Sequence, residues 1–321
     1  MTSTNEFSDE TANKAPFIVR FYQYQKERFP ILGHGLLVAS FSFSAISYSR
    51  ICRGAEGFVS WTAFAVAIFT TITLFLLVRI FDEFKDAEDD AKYRKSLPVP
   101  RGLIRLRELF ILGVILVILQ VGVNTWFFPK LLIMFAIVVG YLSLMGKEFF
   151  IPEWLKKHQF WYVTSHMFII PLIDMYASGI DWMIEGVAPP KGLIFFFIVS
   201  YMNGIVLEIG RKIRTPEQEA EGVLTYSSML GVHKSVYSWV AMLAITLAAA
   251  IAASLFAGHG WLGILILSGI FVLCAIPGVL FLSKMTKKRS KMIEISSALW
   301  TMGMYLTLGG VPMIQQLIAH H

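Results

Sequence analysis

Charge is scarce in this chain. Only 16% of its residues are Asp, Glu, Lys or Arg, where a soluble domain carries about 25%. With 56% hydrophobic residues and a mean hydropathy of +0.63, an ordinary water-facing surface is excluded. Cysteine is scarcer still, with Cys52 and Cys274 the only two. They stand far apart, without a CxxC pair or a histidine at ligand spacing, which excludes a disulfide framework and a zinc site. The first 28 residues, charged with both signs, lack the apolar stretch and small-residue cleavage site of a secretory signal. Residues 1–30 therefore read as a cytoplasmic polar tail. An amphipathic piece near Phe17–Phe29 is expected to lie at a membrane interface.

What the chain has instead is apolar runs, at Ile31–Ser49, Phe58–Phe81, Leu103–Phe127, Leu131–Gly146, Phe160–Ser178, Gly192–Leu207, Val236–Ala257, Leu262–Ser283 and Met292–Ile318. A helix of roughly 20 residues crosses about 30 Å of hydrocarbon. The expected fold is therefore all-α and polytopic, with about nine transmembrane helices in one domain over residues 31–321. Ser40, Ser42, Ser44 and Ser47 thin the first run, and such small residues can bring membrane helices close together. Of 28 Lys and Arg residues, only Arg50, Arg53, Lys130 and Lys191 fall in outside loops when the N-terminus is cytoplasmic. That asymmetry sets the orientation. It also accounts for a pI near 9.2 by topology, so no nucleic-acid partner is expected.

Two long inside loops follow the second and sixth runs. The first reads RIFDEFKDAEDDAKYRKSLPVPRG and packs Asp82, Glu83, Asp86, Glu88, Asp89 and Asp90 close together. Asp82, Asp86 and Asp90 share one helical face. Carboxylates so crowded repel, and a divalent cation offsets the repulsion. Hard oxygen ligands suit Mg²⁺, which takes one or two carboxylates plus phosphate oxygens. The bland alternative is a solvated charge run. The second loop reads LEIGRKIRTPEQEAEGVLTYS, where Glu208, Glu217 and Glu221 are interleaved with Arg211, Lys212 and Arg214. Internal salt bridges would explain it blandly. Together, carboxylates for a metal and cations for the remaining oxygens are what a metal–diphosphate complex requires.

With these motifs the chain resembles the UbiA superfamily of intramembrane prenyltransferases. The family has nine helices and two acidic motifs, after helices 2 and 6. Its NDxxDxxxD motif, followed by a basic residue and a turn rich in Pro and Gly, is matched by Asp82, Glu83, Asp86, Asp90, Arg94 and the LPVPRG segment that contains Arg101. Asp82 replaces the usual Asn, and Glu83 the usual Asp. The second motif is matched by Glu208, Glu217, Glu221, Gly222 and Thr225, with Glu replacing Asp throughout. The resemblance implies a prenyl diphosphate bound through two Mg²⁺ ions between the clusters, with its tail among membrane lipids. Diphosphate leaves, and an unidentified small-molecule or lipid acceptor attacks. Catalytic and metal-holding roles then fall to Asp82, Glu83, Asp86, Asp90, Glu208, Glu217 and Glu221. Substrate binding falls to Arg94, Arg101, Arg211, Lys212 and Arg214; Tyr201 and Asn203, one to two turns before Glu208 in the sixth run, read either as acceptor-pocket lining or as core packing. The expected location is a bacterial inner or plasma membrane, with the active site on the cytoplasmic face.

Some residues admit other readings. Asp174 lies inside an apolar run, where an acid marks either function or a structural hydrogen bond. His34 and His166 read as helix-packing histidines, and Arg79 as an ion-pair partner within the first motif. The alternative of a different class is a transporter, for example of a divalent cation, but Asp174 is the one acid placed for a path through the bilayer. A phospholipid-type transferase would carry a DGxxAR-type motif, which the sequence lacks.

Overall fold

The computed structural model describes residues 14–319. Of the tail expected over residues 1–30, residues 1–13 lie outside the described region. Its amphipathic piece is helix α1, Phe17–Arg28. The rest of the described chain is helical, without strands. It comprises α2 (Ile31–Cys52), α3 (Trp61–Lys85), α4 (Ala87–Tyr93), α5 (Leu106–Phe127), α6 (Leu131–Gly146), α7 (Pro152–Lys157), α8 (Gln159–Met167), α9 (Ile169–Trp182), α10 (Leu193–Arg211), α11 (Tyr226–Leu230), α12 (Val232–Phe256), α13 (Gly260–Ser283), α14 (Lys287–Tyr305) and α15 (Val311–Ala319).

All nine apolar runs are helical, but not all are alike. Among the described residues, seven helices are long and apolar enough to cross a membrane: α2, α3, α5, the α8–α9 pair, α10, α12 and α13. α6 has 16 residues, so it reaches only about 24 Å. The ninth run starts within α14, after that helix's charged first turn, and is loosened by a π turn at Leu306–Gly310 before α15. Local chemistry sets the helix starts. Ser60 Oγ accepts from Ala63 N at 3.1 Å to begin α3, and Thr286 does the same for Arg289 N at the start of α14.

Apolar packing here gives little preference for protein over lipid, so small and polar residues bring the helices together. The serines of α2 are buried. Ser42 and Thr71 share a hydrogen bond of 2.8 Å between α2 and α3. The π turn lays Gly309 directly on the Ser44 backbone, where a Cβ would collide with the Ser44 carbonyl. α5 turns most of its surface outward and is fastened by polar groups. Gln120 donates to Thr73 Oγ1 at 2.6 Å, Asn124 donates to Thr70 Oγ1 at 3.2 Å, and Tyr176 donates to Asn124 Oδ1 at 2.6 Å.

Charged ties hold both ends of the bundle. Where α2 and α9 end together, fully buried Asp181 accepts from Arg50 at 3.0 Å, from Arg53 at 2.9 and 2.7 Å, and from Ser49 Oγ at 2.7 Å. At the other end α1 lies across the first acidic loop. Arg20 makes a two-pronged pair with Glu108 at 2.8 and 2.6 Å, and Arg101 pairs with Glu27 at 2.9 and 2.8 Å.

Candidate active site

The last turn of α3 aims its acids in two directions, because neighbouring residues on a helix point about 100° apart. Asp82 and Asp86 share a half-buried face, and Lys85 lies between them. Its Nζ is 3.5 Å from Asp82 Oδ1, 3.8 Å from Asp86 Oδ1, and donates to the Tyr162 hydroxyl of α8 at 2.7 Å. Glu83 points the other way. Buried to 1% exposure, its Oε1 accepts from Arg28 of α1 at 2.6 Å, from Arg79 at 3.0 and 3.2 Å, and from the Tyr24 hydroxyl at 3.4 Å.

Asp90, on α4, is also buried. Its Oδ1 lies 2.7 Å from Arg94 Nε and its Oδ2 4.0 Å from Arg28 Nη2, yet neither oxygen receives an aligned hydrogen bond among the described residues. Burial pushes this carboxyl above its usual range. Arg94 opposes that, and the nearby Asp86 charge adds to it.

α10 supplies the second motif. Glu208 is 4% exposed, and both its oxygens are taken. Lys212 Nζ sits 2.7 Å from Oε1, while Arg211 holds Oε2 through Nε at 2.6 Å and through Nη2. In the following loop Glu219 accepts from the Thr225 hydroxyl at 2.8 and 2.7 Å. Glu217 and Glu221 are exposed and make no ion pair among the described residues. Arg214 anchors the loop through its backbone N to Ser227 Oγ at 2.7 Å, and its buried Nε has no hydrogen-bond partner among the described residues.

The two motifs meet. Arg211 feels the charge of Asp82, and His166 feels those of Lys85, Asp82 and Glu208. Gly222, at φ +74°, lies beneath the Tyr93 ring, so any Cβ there would strike it. The loop after α10 is thereby docked on α4. Tyr226 stands beside Glu208, and burial together with that charge holds its phenol above the ordinary range.

Sequence reasoning missed several members. Lys85 was legible as a cation inside an acidic motif; Tyr162 gave no signal. Glu148 sits in a left-handed turn, with φ of 47°, 54° and 61° at Glu148, Phe149 and Phe150. Non-glycine residues rarely adopt that backbone, and such strain concentrates at functional sites. Burial raises the Glu148 carboxyl, and it feels Lys85, Lys156, Asp86 and Asp89. His166 stacks on Tyr162 with ring centroids 4.0 Å apart. An aromatic wall continues through Phe149, Tyr141, Phe168 and Tyr201 at centroid spacings of 5.5 to 6.4 Å.

Two expected binders have other partners or surroundings. Arg101 is engaged with Glu27 and the Ser96 carbonyl. Asn203 is buried in the bundle with Ser200, Asp174 and Tyr305. These groups approach one another without well-aligned hydrogen bonds at Asp174, Ser200 or Asn203.

Among the described residues, no three His, Cys, Asp or Glu side chains are gathered into a ready-made metal cage. The donor set nonetheless suits Mg²⁺, which needs only one or two carboxylates when phosphate supplies the rest. Asp82 and Asp86 on one half-buried face are such donors, with Asp90 beside Arg94 behind them.

The sequence matches the UbiA prenyltransferase family over residues 32–306. The chain belongs to that family. A solved structure of a digeranylgeranylglyceryl phosphate synthase is similar in fold, with a TM-score of 0.53 at 17% identity, over 92% of this chain and 99% of the other. No curated protein matches the sequence. Family membership and the apolar helices make this an integral, multi-pass membrane protein of the UbiA type.

Proposed function

We propose that this UbiA protein transfers a prenyl group from a prenyl diphosphate to a small-molecule or lipid acceptor, in a Mg²⁺-dependent reaction that releases diphosphate. One observation carries the reading: at one end of an apolar bundle Asp82 of α3 lies within electrostatic reach of Arg211 on α10, and Gly222 of the second loop packs under Tyr93 of α4. The excess of Lys and Arg on that side supports a cytoplasmic active site and a cytoplasmic N-terminus.

Asp82, Asp86 and Asp90 would hold Mg²⁺, which when bound supplies Lewis-acid stabilisation of charge on the leaving phosphate. Lys85, Arg94, Arg211, Lys212 and Arg214 are the cations available to the remaining phosphate oxygens. The carbon–oxygen bond breaks with its electron pair leaving on diphosphate. The prenyl carbon then bonds to the acceptor nucleophile, which gives up a proton. The cations stabilise charge where it develops. The wall from Phe149 to Tyr201 excludes water that would quench a carbocation, and aromatic faces stabilise that cation. Tyr201, in this wall, would line the acceptor pocket, whereas Asn203 is buried within the bundle. We assign Glu83 to holding α1 rather than metal, because four donors from α1 and α3 converge on its single Oε1.

The test is pyrophosphate release by purified protein given prenyl diphosphates, with Mg²⁺ and with excess chelator. Asp86→Ala should abolish release. Failure of the protein to bind any prenyl diphosphate in the presence of Mg²⁺ would refute the assignment. No observation favours ion transport over this reading.

A further inference from the structure

The two motifs are not chemically equivalent. The first leaves acidic oxygens within reach on Asp82 and Asp86, which are 27% and 33% exposed and whose nearest cations stand 3.5 to 3.8 Å away, while buried Asp90 lies beside Arg94. The second presents the opposite charge. Glu208 has both oxygens occupied by Lys212 and Arg211, and it is buried behind them. The Arg211 side chain is 54% exposed and lies within the field of Asp82. Of the remaining acids, Glu219 is bonded to Thr225. Glu217 and Glu221 are exposed on the loop that Gly222 docks against Tyr93. The face that α10 turns toward the first motif is therefore cationic.

A divalent ion bound at Glu208 would have to displace two cations and then sit beside them. Those two cations together carry the charge of one divalent ion. They also bring guanidinium and ammonium donors that bond phosphate oxygens directly. A buried carboxylate accepting from both fixes their direction, which is what a preorganised anion site needs.

We infer that this chain binds the diphosphate with a single divalent cation, on the Asp82, Asp86 and Asp90 side, and that Arg211 and Lys212, held by Glu208, serve in place of a second metal. Glu208 is a positioning residue; Arg211 and Lys212 touch the diphosphate. The inference rests on the prenyl-diphosphate reading above.

The experiment counts metal. Full-length protein in detergent is saturated with S-farnesyl or S-geranylgeranyl thiolodiphosphate, which do not ionise readily, and bound Mn²⁺ is measured by electron paramagnetic resonance and equilibrium dialysis. One Mn²⁺ per chain is expected. Glu208→Gln should leave that count at one, and Arg211→Gln and Lys212→Gln should each weaken analogue binding by about tenfold or more with Mn²⁺ affinity unchanged. Arg211→Lys keeps the charge and should recover part of the binding, which separates a lost contact from misfolding. Two Mn²⁺ per chain in the unmodified protein, one of them lost in Glu208→Gln, overturns the inference and leaves prenyl transfer standing. If neither analogue binds with Mn²⁺, prenyl-diphosphate recognition falls and the inference falls with it.

Discussion

Glu83→Gln separates two roles that one carboxylate can play at the end of a membrane helix. In the structure Glu83 is 1% exposed and neutralises Arg28 and Arg79, whose side chains are 14% and 16% exposed. The amide keeps the shape but removes the charge. Breaking a buried ion pair from one side costs about 3–5 kcal/mol. The low end applies, because Arg28 retains Asp90 at 4.0 Å and Arg79 retains Asp82 at 3.7 Å. A loss of about 3 kcal/mol at about 2 °C per kcal/mol, the slope for a large chain, lowers the unfolding midpoint by about 6 °C. Thermal unfolding in detergent, followed by circular dichroism, measures it. The double variant Arg28→Met with Glu83→Gln should regain part of the loss, since it removes a stranded cation as well. Mn²⁺ binding in the presence of a prenyl diphosphate analogue is the second readout, and it should stay within about twofold of the unmodified protein. A fall of tenfold or more in Mn²⁺ affinity with an unchanged midpoint would mean that Glu83 ligates metal, and that its pairing with α1 is incidental.

Three further outcomes follow from the geometry. Gly222→Ala adds a Cβ at φ +74° under the Tyr93 ring; it should cost more than about 1 kcal/mol and raise the KM for prenyl diphosphate. Tyr93→Ala in the same chain should relieve the steric part but not the backbone part. Asp181→Asn leaves Arg50 and Arg53 with only the exposed Glu185, at 3.2 and 3.3 Å, and should cost about 3 kcal/mol, with pyrophosphate release per folded molecule unchanged. The Glu27–Arg101 tie should loosen in acid. Burial alone would raise the Glu27 carboxyl, but the Arg101 and Gln23 hydrogen bonds outweigh it and hold it below its ordinary 4.5. Its contribution is therefore complete above that ordinary value and is lost as pH falls through the lower folded one. Limited proteolysis between α1 and α2 should speed up over that window, and equal rates on both sides of it would remove Glu27 from the account.

The membrane fold was legible because lipid imposes a length on apolar runs that few other constraints match. The break in the ninth run was not. Its π turn answers to the packing of Gly309 on Ser44, a contact between distant parts of the chain. Asp82, Asp86, Asp90 and Glu208 could be found from spacing, since a helical face is a local property. The fate of Glu83 could not, because its partners Tyr24 and Arg28 arrive from another helix. The pairing of Arg101 with Glu27 was likewise hidden, because Glu27 comes from α1. The left-handed turn at Glu148 carries no glycine, so nothing in the letters announced it.

The placement of α1 also has a consequence in time. Its ties run to Glu83, Arg101 and Glu108, all made after it. Arg28 precedes Glu83 by 55 residues, so at about 5–20 residues per second it waits roughly 3–11 s on the ribosome for its first partner. The other two appear within the next 25 residues. During that interval α2 is completed and α3 is still being made, while α1 has its cations unmatched. Docking of α1 is thus a late closing step on a bundle already begun, and the first acidic motif reaches its final geometry only when that step is done.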